Sequence, residues 1–287
     1  MHSLVARNLH LTYGNESIIE QLDLSIPKGK ITVLIGSNGC GKSTLLRSMA
    51  RLLKPSKGEV VLDGKQIAKI PTKEIARRLS ILPQGPIAPE GLTVFQLVKQ
   101  GRYPYQHWLK QWTEEDERLV REALRVTKTE ALAEMPVDSL SGGQRQRAWI
   151  AMTLAQGTDT ILLDEPTTYL DMAHQVDILD LLFELNERDR RTIVMVLHDL
   201  NLACRYAHHL VAIKDKTVYA QGKPEEVIHP QLVRHVFGME CSIVEDPYFG
   251  TPLCIPQGKG RRAERKYGSI QTIKEPKEAQ KSELISV

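Results

Sequence analysis

The chain has 287 residues, of which 41% are hydrophobic and 25% charged, a composition typical of a soluble protein with a sizeable core. No apolar run approaches the roughly 18 residues that a membrane-spanning helix needs, and the N-terminus lacks the pattern of a signal peptide, so we expect a cytoplasmic protein. The net charge is +3, but residues 258–287 carry eight basic and four acidic side chains. The remainder therefore has a net charge of −1, which argues against nucleic acid as a partner.

The first third of the chain predicts strands arranged around one helix. Residues 4–26 alternate apolar and polar side chains about a turn at 13–15, which indicates an antiparallel strand pair. Helical spacing of apolar residues over 45–53 predicts a helix. Further strands are expected at 31–35, 59–62 and 79–82.

The second part begins with a change of pattern at about residue 86. Helical periodicity up to residue 139 predicts a mostly helical insertion. Strands and helices then alternate, which indicates a largely parallel sheet covered on both faces. The expected strands are 160–163, 192–197, 210–214 with 217–221, and 242–244 with 252–255. The expected helices are 144–155, 172–188, 200–207 and two short ones within 224–237. Residues 258–287 are polar and charged, and we expect them to be disordered.

Residues 36–44 read G-S-N-G-C-G-K-S-T and match the phosphate-binding loop, with a strand before them and a helix after them. Glycines let several backbone N–H groups point at phosphate oxygens, and the following helix adds its positive N-terminal end. Lys42 supplies a full charge for the β- and γ-phosphates, and the Ser43 hydroxyl can hold Mg²⁺. The segment predicts binding of a nucleoside triphosphate.

A second helix start lies at residues 140–147, which read L-S-G-G-Q-R-Q-R. Ser141 can cap this helix, and the glycines leave backbone N–H groups bare, so the segment is a candidate anion-binding site. An ordinary Ser-Gly-Gly loop is the alternative.

Polar side chains follow several predicted strands at the sheet edge where α/β proteins bind ligands. Asp164 would hold Mg²⁺, and Glu165 would polarise an attacking water. His198 could reach the γ-phosphate, and Gln84 could touch Mg²⁺ or the water. Tyr13 could stack on adenine. Taken singly, each has a plainer interpretation: a solvated turn, a helix cap or an edge-strand aromatic.

Taken together, these motifs resemble the ATP-binding cassette (ABC) superfamily over about residues 1–255. The matching motifs are the aromatic Tyr13, Walker A at 36–44, the Q-loop at Gln84, the signature at 140–144, Walker B at 161–165 and the switch histidine His198. The resemblance implies an α/β fold: a P-loop NTPase core with an antiparallel β subdomain and a helical subdomain at about 86–155, in one nucleotide-binding domain over 1–257.

The resemblance also implies ATP hydrolysis with Mg²⁺ between two subunits stacked head to tail. Each ATP would be held by one subunit's Walker A and covered by the partner's signature, with Asp171 communicating between the two sites. The implied catalytic residues are Glu165, His198, Lys42 and Gln84. The implied nucleotide contacts are Tyr13, Gly36, Ser37, Asn38, Gly39, Cys40, Gly41, Lys42, Ser43, Thr44, Gln84, Ser141, Gly142, Gly143, Gln144, Asp171 and His198. The implied Mg²⁺ ligands are Ser43, Gln84 and Asp164.

Three weaker strings, at 101–106, 170–175 and 198–207, are similar to the iron-siderophore and cobalamin importers within this superfamily. Tyr105 departs from a histidine that is frequent in that branch. The resemblance implies an ATPase subunit on the cytoplasmic face of the membrane. It would dock on integral permease subunits through the Gln84 loop and the helical insertion, and work indirectly with a substrate-binding lipoprotein or periplasmic protein.

Other functions remain open at this point. The cargo could be cobalamin, haem or a metal ion, because the nucleotide-binding subunit does not contact it. A soluble cassette ATPase acting on ribosomes or in metallocofactor assembly would usually show a second cassette or special inserts. A DNA-repair cassette would need a long heptad region, for which the roughly 95 residues between Walker A and the signature are too few.

Overall fold

The structure is a computed structural model that describes residues 2–106 and 112–260. The chain divides into two compact units, residues 1–257 and 258–287, and all elements below belong to the first. Most of the tail for which we expect disorder, residues 261–287, lies outside the described residues. No helix among the described residues is long and apolar enough to cross a membrane.

The elements follow one another in an order close to the predicted one. The strands are β1 (His2–Tyr13), β2 (Glu16–Pro27), β3 (Ile31–Ile35), β4 (Lys57–Leu62), β5 (Lys65–Gln66), β6 (Leu79–Leu82), β7 (Thr160–Leu163), β8 (Thr192–Val196), β9 (His209–Lys214), β10 (Thr217–Gly222), β11 (Cys241–Glu245) and β12 (Pro252–Pro256). The helices are α1 (Lys42–Met49), α2 (Thr72–Ala76), α3 (Val94–Lys99), α4 (Glu114–Val126), α5 (Gly142–Ala155), α6 (Met172–Asp189), α7 (Leu200–Tyr206), α8 (Pro224–Val227) and α9 (Pro230–Phe237). Short 3₁₀ helices lie at Ile67–Lys69, Gln100–Tyr105, Glu130–Leu132 and Val137–Ser139.

The main sheet has six strands in the order β10-β9-β3-β8-β7-β6. Its five strands from β9 to β6 are parallel, and β10 is an antiparallel edge strand. Strands β3, β7 and β8 are buried along their whole length, which is why their sequences are nearly continuous apolar runs. The parallel sheet is confirmed. The segments that follow β3, β6, β7 and β8 all begin at the carboxyl edge of this sheet.

A second, antiparallel sheet has the order β2-β1-β4-β5. Its apolar face packs with Leu45 and Leu46 of α1 and with Val194 of β8 in one buried cluster. Helix α1 and the loop before it therefore pack between the two sheets. The helix predicted through residue 53 ends at Met49, because Arg51 takes a left-handed backbone conformation (φ +60°) shortly before Pro55.

The helical segment between β6 and β7 packs α3, α4 and α5 together. Arg102 Nε donates to Asp116 Oδ1 at 2.8 Å in a buried ion pair, and a second guanidinium nitrogen donates to the Ala155 carbonyl. Burial alone would raise the pKa of Asp116, but the hydrogen bonds from Arg102 and Thr113 outweigh it and lower that pKa. These contacts join the 3₁₀ segment, the start of α4 and the end of α5.

Candidate nucleotide-binding site

The loop between β3 and α1 depends on glycine at two positions. Gly36 has φ +150°, and a Cβ there would lie 2.5 Å from the carbonyl oxygen of Ile213. Gly41 has φ +99°, and a Cβ there would lie 2.9 Å from Cδ1 of Ile19. A side chain at position 36 would collide with backbone, and the positive φ at position 41 strains any residue other than glycine, so the path of residues 36–41 requires the glycines that the motif supplies.

The Lys42 side chain folds back over this loop. Its Nζ donates to the carbonyl oxygens of Gly36 and Ser37, at 2.9 Å each, and lies 3.7 Å from Cys40 Sγ. The residue is only 5% exposed, so these carbonyls satisfy a buried positive charge. The ammonium is held at the mouth of the loop, where anionic oxygens can exchange with the carbonyls.

Ser43 and Asp164 meet across the carboxyl edge of the sheet. Ser43 Oγ donates to Asp164 Oδ1 at 2.8 Å, and Asp164 is 2% exposed. Burial raises the pKa of the Asp164 carboxyl, and the neighbouring charge of Glu165 adds to the effect, while the Ser43 hydrogen bond opposes it. The structure thus brings together two of the three side chains predicted to bind Mg²⁺.

These oxygen donors fit Mg²⁺ by their chemistry. A buried carboxylate and a hydroxyl are hard ligands. The amide oxygen of Gln84 is also free, because Nε2 of that side chain makes the hydrogen bond to Glu165. Among the described residues there is no group of three His, Cys, Asp or Glu side chains that could hold a metal alone. That agrees with the usual coordination of Mg²⁺, in which phosphates and water complete a small protein ligand set.

Glu165 is the meeting point of the strand-end side chains. Gln84 Nε2 donates to its Oε2 at 2.6 Å, and His198 Nε2 lies 2.7 Å from its Oε1. Thr168 Oγ1 also donates to Oε2, at 2.9 Å. Glu165 itself has φ +53°, an uncommon conformation for a residue other than glycine. The structure therefore assembles Gln84, Glu165 and His198 as the strand order suggested, and adds Thr168, which sequence reasoning missed.

A cavity of about 450 Å³ opens in front of these groups. Its lining residues are Ile18, Asn38, Gly39, Gly41, Lys42, Ser43, Thr44, Gln84, Glu165, Thr168, Tyr169 and His198. Ile18 and Tyr169 were also not predicted to line the site. Tyr13 lies at the end of β1 and is 45% exposed, but it is not among the lining residues.

The signature segment lies apart from this cavity. Ser141 Oγ accepts from the N–H of Gln144, whose side chain accepts from the N–H of Ser141, so the predicted cap forms at the start of α5. A Cβ on Gly143 would lie 2.6 Å from Cδ2 of His174 in α6. Asp171 Oδ1 in turn accepts from the His174 N–H and lies 2.7 Å from its Nδ1, and the backbone hydrogen bond lowers the pKa of Asp171. The starts of α5 and α6 therefore form one surface, and neither lines the cavity of its own chain.

Comparison with known proteins identifies the family. The sequence profile of the ABC transporter family matches residues 19–168. The chain is 71% identical over 261 residues to the probable siderophore transport system ATP-binding protein YusV of Bacillus subtilis (strain 168), covering 91% of this chain and 95% of that protein. It is 68% identical over 263 residues to the petrobactin import ATP-binding protein FpuD of Bacillus anthracis, covering 92% and 96%.

Among solved structures, the chain is similar to the dimeric post-hydrolysis state of the ATP-binding cassette MJ0796 bound to ADP and Pi. The TM-score is 0.68 at 31% identity, covering 77% of this chain and 98% of that one. The chain belongs to the ABC transporter family. It is an ATPase subunit of this family, and the predicted fold class is confirmed.

Proposed function

We propose that this chain is the ATP-hydrolysing subunit of an importer for iron-siderophore complexes. The observation that carries the proposal is its high identity, over nearly their whole length, to ATP-binding proteins named for siderophore transport and petrobactin import. The geometry of the cavity supports the ATPase half of the proposal. The cargo half rests on these relatives and on the strings at 101–106, 170–175 and 198–207.

In this function, ATP lies in the cavity with its phosphates on residues 36–44. Lys42 exchanges the loop carbonyls for β- and γ-phosphate oxygens, a charge-assisted contact. Tyr13, at the exposed end of β1, stacks on the adenine ring. The backbone N–H groups at the start of α1 complete the phosphate cradle.

Hydrolysis is assigned to the strand-end cluster. Ser43, Asp164 and Gln84 hold Mg²⁺, which neutralises phosphate charge when bound. Glu165 accepts the proton of a water whose oxygen attacks the γ-phosphorus, while the bond to the β–γ bridging oxygen breaks and its electrons stay on ADP. His198 turns from Glu165 towards the γ-phosphate, which it can do because it also lines the cavity.

The second half of each ATP site comes from another copy of the chain. Ser141, Gly142, Gly143 and Gln144 start a capped helix but lie away from their own cavity. A head-to-tail homodimer places this helix start over the partner's γ-phosphate, where its bare N–H groups bind the anion. Asp171, packed beside the signature, links the two sites. The dimeric state of the solved relative supports this arrangement.

The membrane partner is a permease, contacted from the cytoplasmic face through the Gln84 loop and the helical subdomain at about 86–155. Among the described residues of this region, the apolar side chains of Ile87 and Tyr103 are strongly exposed, by 90% and 71%. In the proposed complex, cytoplasmic permease segments cover these two side chains. A substrate-binding lipoprotein or periplasmic protein delivers the cargo on the other side, and nucleic acid is no partner.

The nucleotide-binding domain is proposed to end at residue 257. Truncation after Gln257 should leave ATP hydrolysis in detergent-free solution unchanged. Loss of hydrolysis in the truncated protein would place the tail within the functional domain.

The experiment that tests the proposed function uses the chain co-purified with its permease and binding protein. ATP hydrolysis should rise when an iron-loaded siderophore is added and should not rise with the iron-free siderophore. Cobalamin and haem, each supplied to the same complex, are the matched controls. Stimulation by cobalamin or haem alone would contradict the assigned cargo.

A further inference from the structure

Thr168 is tied to Glu165 through a short turn. The Thr168 N–H donates to the Glu165 carbonyl oxygen at 3.3 Å, and Thr168 Oγ1 donates to Glu165 Oε2 at 2.9 Å. Both contacts span three residues of one loop. The hydroxyl therefore belongs to the same short segment as the carboxylate that it binds.

The other two contacts of the carboxylate come from distant segments. Gln84 follows β6 and His198 follows β8, and both line the cavity. Under the proposed function His198 turns towards the γ-phosphate, and the amide oxygen of Gln84 binds Mg²⁺. Thr168, which has no assigned ligand, keeps its hydrogen bond to Glu165 Oε2.

We propose that Thr168 is a positioning residue for hydrolysis, holding Glu165 Oε2 so that Oε1 faces the attacking water. The inference rests on the proposed role of Glu165 as the base. A carboxylate that can rotate freely presents its oxygens to water only part of the time, and small errors of placement reduce the rate strongly. One fixed oxygen leaves the other in a defined direction.

The chemistry of the step leaves Thr168 unchanged. The water oxygen bonds to the γ-phosphorus, its proton passes to Glu165 Oε1, and the bond between the γ-phosphorus and the bridging oxygen breaks, with its electron pair going to ADP. Thr168 keeps its own proton and donates the same hydrogen bond throughout. It acts on the rate only through the orientation of Glu165.

Two substitutions distinguish the effect of the Thr168 hydroxyl from the effect of the side-chain volume. Thr168→Val keeps the volume and removes the donor, whereas Thr168→Ser keeps the donor. We expect Thr168→Val to lower kcat about tenfold, with the KM and Kd for ATP within about twofold of wild type. Thr168→Ser should restore most of kcat. A Thr168→Val protein with wild-type kcat, or one that loses ATP affinity instead, would overturn the proposal.

A double-mutant cycle tests whether Thr168 acts through Glu165. In single-turnover assays, Thr168→Val should slow the wild type but should not further slow Glu165→Gln, because no base remains to be oriented. An equal further loss in the Glu165→Gln background would show an independent role and overturn the inference. If the wild type is active and Thr168→Val is fully active, this inference fails and the proposed function stands. If the wild type neither binds nor hydrolyses ATP, the proposed function fails as well.

Discussion

Ser43 Oγ donates a hydrogen bond of 2.8 Å to the Asp164 carboxylate across a separation of 121 residues in sequence. Ser43 lies in the first turn of α1, and Asp164 directly follows β7. The contact therefore joins the helix after the phosphate-binding loop to the strand that leads into the proposed catalytic cluster. The Asp164 carboxyl is buried and has a raised pKa, so keeping it ionised costs folding free energy. The position of this carboxylate therefore favours binding of a cation, whereas without a cation it lowers the stability of the protein.

Asp164→Asn should therefore raise the melting temperature of the nucleotide-free protein at neutral pH. Asparagine removes the buried charge and keeps an oxygen for Ser43, and each 1 kcal/mol corresponds to roughly 2–4 °C for a domain of this size. The gap between the two proteins should shrink as the pH falls towards the raised pKa, because wild-type Asp164 then becomes protonated in the folded state. Mg²⁺ with ATP should stabilise wild type more than Asp164→Asn. A nucleotide-free Asp164→Asn protein that melts below wild type at neutral pH would contradict this account.

Glu165→Gln should bind ATP normally and hydrolyse it at least ~100-fold more slowly, since an amide cannot accept the proton. With hydrolysis blocked, the protein should accumulate as an ATP-bound dimer, which size-exclusion chromatography detects. Glu184→Gln, which changes an exposed carboxyl on α6, is the matched control and should behave as wild type. Near-normal hydrolysis by Glu165→Gln would rule out Glu165 as the base.

A charge at Ser141 distinguishes a composite site from a site within one chain. Ser141→Asp keeps the helix cap but adds a negative charge that should repel the partner's ATP, whereas Ser141→Asn keeps the cap without the charge. In the Glu165→Gln background we expect Ser141→Asp to abolish the ATP-induced dimer while leaving ATP affinity of the single subunit unchanged. Lys42→Ala should instead weaken that affinity directly. If Ser141→Asp weakens ATP binding by the single subunit as Lys42→Ala does, the signature serves its own chain.

Sequence patterns predicted most of the fold because the decisive signals are local. The apolar runs of β3, β7 and β8 and the glycines at 36 and 41 each specify their own backbone. The polar residues at the strand ends could be expected to converge, because parallel strands bring their carboxyl ends to one edge.

The contacts that sequence could not supply depend on packing between segments. Helix α2 was missed because it has only five residues and too few turns to show a periodicity. The guanidinium carbon of Arg102 lies 3.8 Å from the centroid of the Tyr105 ring, and that of Arg77 lies 5.2 Å from it. No spacing rule in the sequence predicts this arrangement. The contact of Thr168 with Glu165 could have been predicted, because a hydroxyl three residues after a candidate base is a pattern that can be searched for.

The most direct test of the central claim is transport by the complete importer in proteoliposomes, with ATP on the side that carries this chain. Uptake of radiolabelled iron should occur only when the iron is supplied as a siderophore complex, should require ATP, and should stop when Glu165→Gln replaces the wild-type chain. Iron uptake that continues with Glu165→Gln, or a working complex that moves cobalamin and leaves the iron-siderophore complex outside, would contradict the account.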